Sequence, residues 1–251
     1  MVNVAAHSGP DQDGVPAGLA AGRNATPTLI ALLLLFVLGT AAIYHGTDKF
    51  RVVSTEEARR LSIAEHPRKV PNAELIDANG RKQGLYHTLD RDGRVSIVTF
   101  IYTRCNAICS VLGNEFQQMQ QSLQQRGLQH QLRLLSISFD ASDGPVQLSS
   151  YARRMKADPQ DWQLFSVDTA MQRKSLLDSF GIVVVPAPLG EFQHNAAFHV
   201  LTPDGRLSRI FDYDQPDAAL AYALSLSSMY SQVAQKSANG RPTAAGTGAA
   251  L

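Results

Sequence analysis

The sequence predicts an α/β fold: a mixed sheet flanked by helices, preceded by one N-terminal transmembrane helix. Three observations carry this expectation. Runs of β-branched and aromatic residues alternate along the chain with segments of three- and four-residue apolar periodicity. An uncharged, Leu-rich stretch stands ahead of them. The 251 residues, 44% hydrophobic and 18% charged, suffice for one ordinary domain with appendages. A net charge of +1 supplies no basic stripe on which to propose nucleic acid as a partner.

Residues 1–25 are rich in Ala and Gly without apolar periodicity and are expected to be disordered. Residues 24–47 contain no charged side chain, and 29–43 read "LIALLLLFVLGTAAI". About 20 apolar residues cross the ~30 Å of hydrocarbon in a bilayer, so 26–46 reads as a membrane anchor. A buried core helix seldom uses such an unbroken run. A cleaved signal peptide would call for a charged start followed by a clear A-x-A site, a pattern missing here. Arg23 precedes the span, while Lys49, Arg51, Arg59 and Arg60 follow it. That count alone would keep the C-terminal part inside, but long domains translocate largely regardless of such charges.

Residues 47–69 read as a juxtamembrane linker in which Ser54-Thr55-Glu56-Glu57 opens a short helix. The domain is expected over 70–235. Residues 74–80 and then 84–90 suggest a short strand and turn. Residues 94–102, "RVSIVTFIY", form a buried strand, and Ile108, Leu112, Phe116, Met119 and Leu123 mark a helix over 108–126. A second strand follows at 132–139, and a helix with Pro at its start at 145–156. Next come a strand at 163–167, a helix at 170–180, and a hairpin of 196–201 with 207–211 around "TPDG". An amphipathic helix at 216–233 closes the domain, and 236–251 is a low-complexity tail expected to be disordered. This order of elements is the thioredoxin-like arrangement.

Both cysteines of the chain, Cys105 and Cys109, fall in "TFIYTRCNAICS" at a strand-to-helix junction. The free N–H groups and dipole of a helix's first turn favour a thiolate there, and Arg104 is expected to add to that effect. A separation of four in helical geometry leaves Cα atoms about 6 Å apart, within disulfide reach. Inert buried cysteines would not need to be placed together at such a junction. Two readings stay open: a redox dithiol, and a pair of soft ligands for a thiophilic metal. A closed zinc site wants four Cys or His ligands, and the chain has no further cysteine. Two thiolates plus one imidazole suit copper, because soft sulfur selects Cu(I).

Seven histidines are candidates for the imidazole. His7, His45, His66, His87 and His130 sit in terminal, linker or turn sequence and are expected at the surface. His199 alternates with Phe198 and Val200 in a strand, where it is expected to pack or to face solvent. His194 lies in the loop before that strand, on the side from which a thioredoxin-like fold approaches the cysteine junction.

These segments resemble the Sco/SenC family of membrane-anchored, thioredoxin-fold copper proteins over residues 70–234. "YTRCNAIC" is similar to the family's Y-T-x-C-P-D-x-C-P, and "SISFDASDGPVQLSSYARRM" looks like its S-x-D-P-x-x-D-T-P stretch. The likeness extends through "ADPQDWQLFS" and ends with "HNAAFHVLTPDGRL", similar to H-S-x-x-x-Y-L-x-x-P-x-G. The resemblance implies that Cys105, Cys109 and His194 bind a copper ion, Cu(I) or Cu(II). It implies a chain that delivers copper to, or reduces the cysteines of, the CuA-carrying subunit of a respiratory cytochrome c oxidase. A copper donor or a thioredoxin-like reductant would be a further partner. The implied location is the inner membrane, single-pass, with the soluble domain in the periplasm. Asn106, Ala107 and Ser110 stand where the family has Pro, Asp and Pro, and His199 where it has an aromatic residue. Loss of the first Pro is expected to loosen the loop between the sulfurs. The alternative is a membrane-anchored thiol-disulfide oxidoreductase, with Cys105 and Cys109 as its catalytic dithiol and no copper delivery.

Overall fold

The computed structural model describes residues 25–46, 55–91, 93–105 and 108–239. The expected disordered start, residues 47–54 of the expected linker, Asn106 and Ala107, and the tail from residue 240 lie outside them. The chain divides into two compact units, Met1–Thr55 and Glu56–Leu251.

The first unit holds α1 (Ala25–Gly46), a 22-residue helix without an acidic or lysine/arginine side chain. Its window Thr26–His45 has a mean hydropathy of 2.2 and none of it is buried within the protein. At about 1.5 Å per residue the helix is about 33 Å long. Length and composition therefore suffice to cross a membrane, a property that a signal sequence shares.

In the second unit, α2 (Thr55–Glu65) leads into β1 (Arg68–Lys69), β2 (Glu74–Asp77), β3 (Lys82–Gly84) and α3 (Leu85–Asp90). The central run is β4 (Val95–Ile101), α4 (Ile108–Gln125), β5 (Leu132–Ser138), α5 (Pro145–Met155), β6 (Trp162–Val167) and α6 (Ala170–Phe180). β7 (Val184–Pro186), β8 (Phe192–His194), β9 (Ala197–Leu201), β10 (Arg206–Asp212) and α7 (Pro216–Asn239) complete it. Eight strands form one mixed sheet in the order β1-β10-β9-β4-β5-β6-β2-β3. Parallel pairing of β4 with β5 and β5 with β6 forms its centre. The flanking pairs, β4–β9 and β6–β2 among them, are antiparallel. All seven residues of β4 and of β5 are buried, which is why both read as apolar runs rather than as alternation.

β9 shows how the faces divide. Phe198 stacks on Phe116 of α4 at 5.9 Å, whereas the next residue, His199, meets Phe180 of α6 at 5.1 Å. Successive strand residues point to opposite faces, so α4 and α6 cover opposite sides of the sheet. Each fully buried Phe or Leu of this kind contributes about 1.5–3 kcal/mol.

Three local expectations change. Residues 84–90 are not a strand and turn: from Leu85 they form α3, whose Leu85, Thr88 and Leu89 are buried at helical spacing. The stretch read as linker carries α2, whose Ile63 is fully buried and whose Arg60 pairs with Asp212 at 2.7 Å, so the packed unit begins before residue 70. His194 is not in a loop; it ends β8, which pairs with β7 in a separate two-stranded sheet.

Candidate metal centre

β4 delivers the first half of the site. It ends at Ile101, and Tyr102, 3% exposed, begins a turn that Cys105 N–H closes onto the Tyr102 carbonyl at 3.2 Å. A buried carboxylate holds this turn in place. Asp143 accepts from the Thr103 N–H at 2.7 Å, from the Thr103 hydroxyl at 2.6 Å and from the Ser138 hydroxyl at 2.6 Å. Arg154 donates to the Thr103 carbonyl at 2.8 Å. The acidic stretch after β5 thus holds the turn that positions Cys105.

Cys109 is the second residue of α4. Its backbone N–H donates to Cys105 Sγ at 3.3 Å, so a free N–H of the helix start is satisfied by the other cysteine. Both cysteines are buried, at 2% and 0% exposure, and both are free thiols. The Ser110 hydroxyl donates to the Cys105 carbonyl at 3.4 Å, a tether where a Pro could donate nothing. One turn on, Gly113 leaves room for α5: a Cβ there would lie 2.7 Å from the Tyr151 hydroxyl. That hydroxyl donates to the Cys109 carbonyl at 2.9 Å.

The second half comes from the β7–β8 hairpin. His194 Nε2 lies 3.5 Å from Cys109 Sγ, and Nδ1 lies 2.9 Å from the Asn195 carbonyl. A carbonyl only accepts, so Nδ1 carries the proton and Nε2 turns its lone pair toward the sulfur. Burial pushes the His194 imidazole below its ordinary pKa and keeps it neutral, the form in which a histidine ligates metal. Phe139, 4.8 Å away between ring centres, and Tyr102, at 6.3 Å, wall the imidazole edge-on.

Two electrostatic expectations are corrected. Burial first, and then the hydrogen bond with Cys105, push the Cys109 thiol well above its ordinary pKa, opposite to the direction expected from the helix start. Arg104 does not serve the sulfurs, because its guanidinium is paired with Asp140 at 2.9 Å and lies 3.4 Å from the Gly190 carbonyl.

Cys105, Cys109 and His194 are thus brought to one place, two thiols and one neutral imidazole. His45, His66, His87 and His130 are exposed, as expected, and His199 is a core residue at 1% exposure. Among the described residues no three His, Cys, Asp or Glu side chains already stand close enough to hold an ion. Sequence reasoning did not single out Tyr102 or Glu191, which touch each other at 2.5 Å beside the thiols. Tyr102 was within the quoted cysteine motif, while Glu191 carries no sequence signal.

Fold and site together define a thioredoxin-like domain with a buried dithiol and an adjoining histidine. Residues 61–227 match the SCO1/SenC family, and the chain belongs to that family. It is 28% identical over 126 residues to the SCO1 protein homolog of Bacillus subtilis (strain 168), a match spanning 49% of this chain and 63% of that relative. Among solved structures, yeast Sco1 with copper bound is similar at a TM-score of 0.55 and 18% identity, over 71% of this chain and 97% of that one. BsSco, described with a disulfide switch as a member of the Sco family of cytochrome c oxidase assembly proteins, gives 0.55 and 22%, over 65% and 96%. At these identities the two structures establish the shared fold.

Proposed function

We propose that this chain is a membrane-anchored copper-binding assembly factor. In this reading Cys105, Cys109 and His194 take up one copper ion and pass it to the CuA-carrying subunit of a cytochrome c oxidase. The observation that carries the reading is the neutral His194 Nε2 set 3.5 Å from the Cys109 sulfur, beside the second thiol. Soft sulfur with one imidazole is a donor set for copper, and three donors leave a coordination position for an acceptor's ligand. Copper is cargo here. Loading requires each thiol to give up its proton. Copper-bound yeast Sco1 supports the reading through its fold.

A second use of the same sulfurs is favoured by their free state and by the N–H···S contact that holds them adjacent. The dithiol can reduce a disulfide on an acceptor: two thiols become the Cys105–Cys109 disulfide, and the acceptor gains two electrons and two protons. α1 anchors the protein, with the domain on the periplasmic side. Limited protease treatment of intact spheroplasts should remove the domain, and protection would place it inside.

The test of the main reading is anaerobic titration of the full chain in detergent with Cu(I). One equivalent is expected to bind, with sulfur–copper absorption; Cys109→Ser should abolish binding and His194→Ala should weaken it by tenfold or more. Equal affinity in His194→Ala and the parent chain would refute the three-donor site.

A further inference from the structure

The hairpin that carries His194 is not part of the main sheet. β7 and β8 pair only with each other, through Val184↔His194, Val185↔Gln193 and Pro186↔Phe192. An isolated two-stranded hairpin is marginal in water, so what holds it against the domain decides where the imidazole sits. At the base, Asn195 bridges its two ends: Val183 N–H donates to Asn195 Oδ1 at 2.8 Å, and Asn195 Nδ2 to the Gly181 carbonyl at 2.9 Å. Those bonds tie the hairpin to its own root and do not reach its outer end.

The outer end is held by Tyr102. Its hydroxyl donates to Glu191 Oε2 at 2.5 Å, accepts from the Phe192 N–H at 3.5 Å and lies 3.4 Å from the Phe192 carbonyl. Tyr102 is 3% exposed and stands three residues before Cys105, whereas Glu191 is exposed and stands three before His194. The Tyr102 hydroxyl therefore joins the strand end leading to the thiols with the hairpin leading to the imidazole, alongside the Arg104 contact with the Gly190 carbonyl. The phenol O–H is the donor of this bond, and the Glu191 carboxylate can only accept. The tip itself is no relaxed turn: Leu189, 97% exposed, holds φ 63°, a left-handed conformation that costs a non-glycine residue about 1 kcal/mol or more.

We infer that the Tyr102 hydroxyl and the Glu191 carboxylate form a latch that closes the β7–β8 hairpin over the thiols and sets how long His194 stays within reach of Cys109. Tyr102 and Glu191 are positioning residues, and neither is a ligand. Opening the latch withdraws the imidazole while leaving both sulfurs in place. A three-donor site then becomes a two-donor site that an incoming acceptor ligand can complete. This rests on the copper reading for its consequence, though not for the latch itself.

The test uses the full chain in detergent with two readouts, one free of metal. Tyr102→Phe keeps the ring packing against Phe192 and Phe139 and removes only the hydroxyl, Glu191→Ala removes the acceptor, and Glu191→Gln keeps an acceptor oxygen. Without metal, amide hydrogen exchange across residues 184–194 should speed up in Tyr102→Phe and Glu191→Ala, with β4 and β5 unchanged and Glu191→Gln close to the parent. With Cu(I) loaded, transfer to a Cu(I) chelator should accelerate about tenfold in the first two variants, the effect of losing one hydrogen bond to a charged group. Unchanged exchange in both variants, or a Glu191→Gln variant as impaired as Glu191→Ala, would overturn the latch. A parent chain that takes up no Cu(I) would overturn the copper reading and leave hydrogen exchange to decide the latch.

Discussion

Acidification should destabilise this domain through His199 before its carboxylates matter. His199 is 1% exposed between the rings of Phe100 and Phe180, at 5.8 and 5.1 Å. Its Nδ1 donates to the Val98 carbonyl at 3.2 Å, and Nε2 is buried with no hydrogen-bond partner among the described residues. A second proton would have to sit on that buried nitrogen, within range of the positive charges of Arg59 and Arg60. Burial first, and those two guanidiniums after it, lower the pKa from 6.5 to about 4 despite the Val98 and Phe180 carbonyls, which pull it up. A base whose pKa falls on folding stabilises the fold fully above its unfolded value, and that stability is lost as pH drops toward the folded value. The gap amounts to about 3 kcal/mol at completion, and to about 2 kcal/mol between about pH 8 and about pH 5. The group is wholly buried, so solvent screening takes little from this figure. Urea unfolding of the full chain, followed by the fluorescence of Trp162, measures the difference; Trp162 is the chain's single tryptophan and is 1% exposed. His199→Phe has a similar shape and no proton to gain, and His194 contributes equally to both proteins. The parent should therefore lose about 2 kcal/mol more than His199→Phe over that range. Parallel pH dependences would show that His199 takes up its proton without resistance and would refute the reasoning.

Two further outcomes test the scaffold of the site. Asp143→Ala strands the buried Thr103 N–H and frees two hydroxyls, so urea unfolding should show a loss of about 2–4 kcal/mol. Asp143→Asn should recover part of that loss, because one oxygen can still accept. Gly113→Ala gains up to about 1 kcal/mol of helix propensity but drives a Cβ against Tyr151 and Met155, a clash worth about 1–3 kcal/mol. A Tm lower by a few degrees in a thermal scan is expected, and a higher one would show that α5 yields freely.

Much of the domain was legible because its signals are local. β4 and β5 are unbroken apolar runs, α4 shows its five apolar positions at helical spacing, and Pro145 marks the start of α5. The errors fall where tertiary contacts override local pattern. Residues 85–90 carry too few apolar positions to separate one and a half helical turns from a strand. The "VVVPAPLGEFQH" stretch looks like loop because its Pro and Gly residues hide two three-residue strands. The short helix α2 is legible from its Ser-Thr-Glu-Glu start, but its packing is not, since one core residue, Ile63, in a polar helix leaves little periodicity.

The sequence by itself determined that two cysteines meet at a strand-to-helix junction. It also argued against a closed zinc site, since the chain has no further cysteine, and pointed to His194 through the resemblance of its motif. Those are properties of order and count along the chain, which a sequence carries directly. Only the tertiary structure decided the protonation of the site. The helix start should have favoured a thiolate at Cys109, but complete burial raises the thiol instead, and Arg104 spends its charge on Asp140, thirty-six residues away. Likewise the contact between Tyr102 and Glu191 joins residues eighty-nine apart, and His199 becomes an uncharged core residue only because two aromatic rings close on it. Burial and long-range pairing set the energy of a charge, and neither exists until the chain has folded.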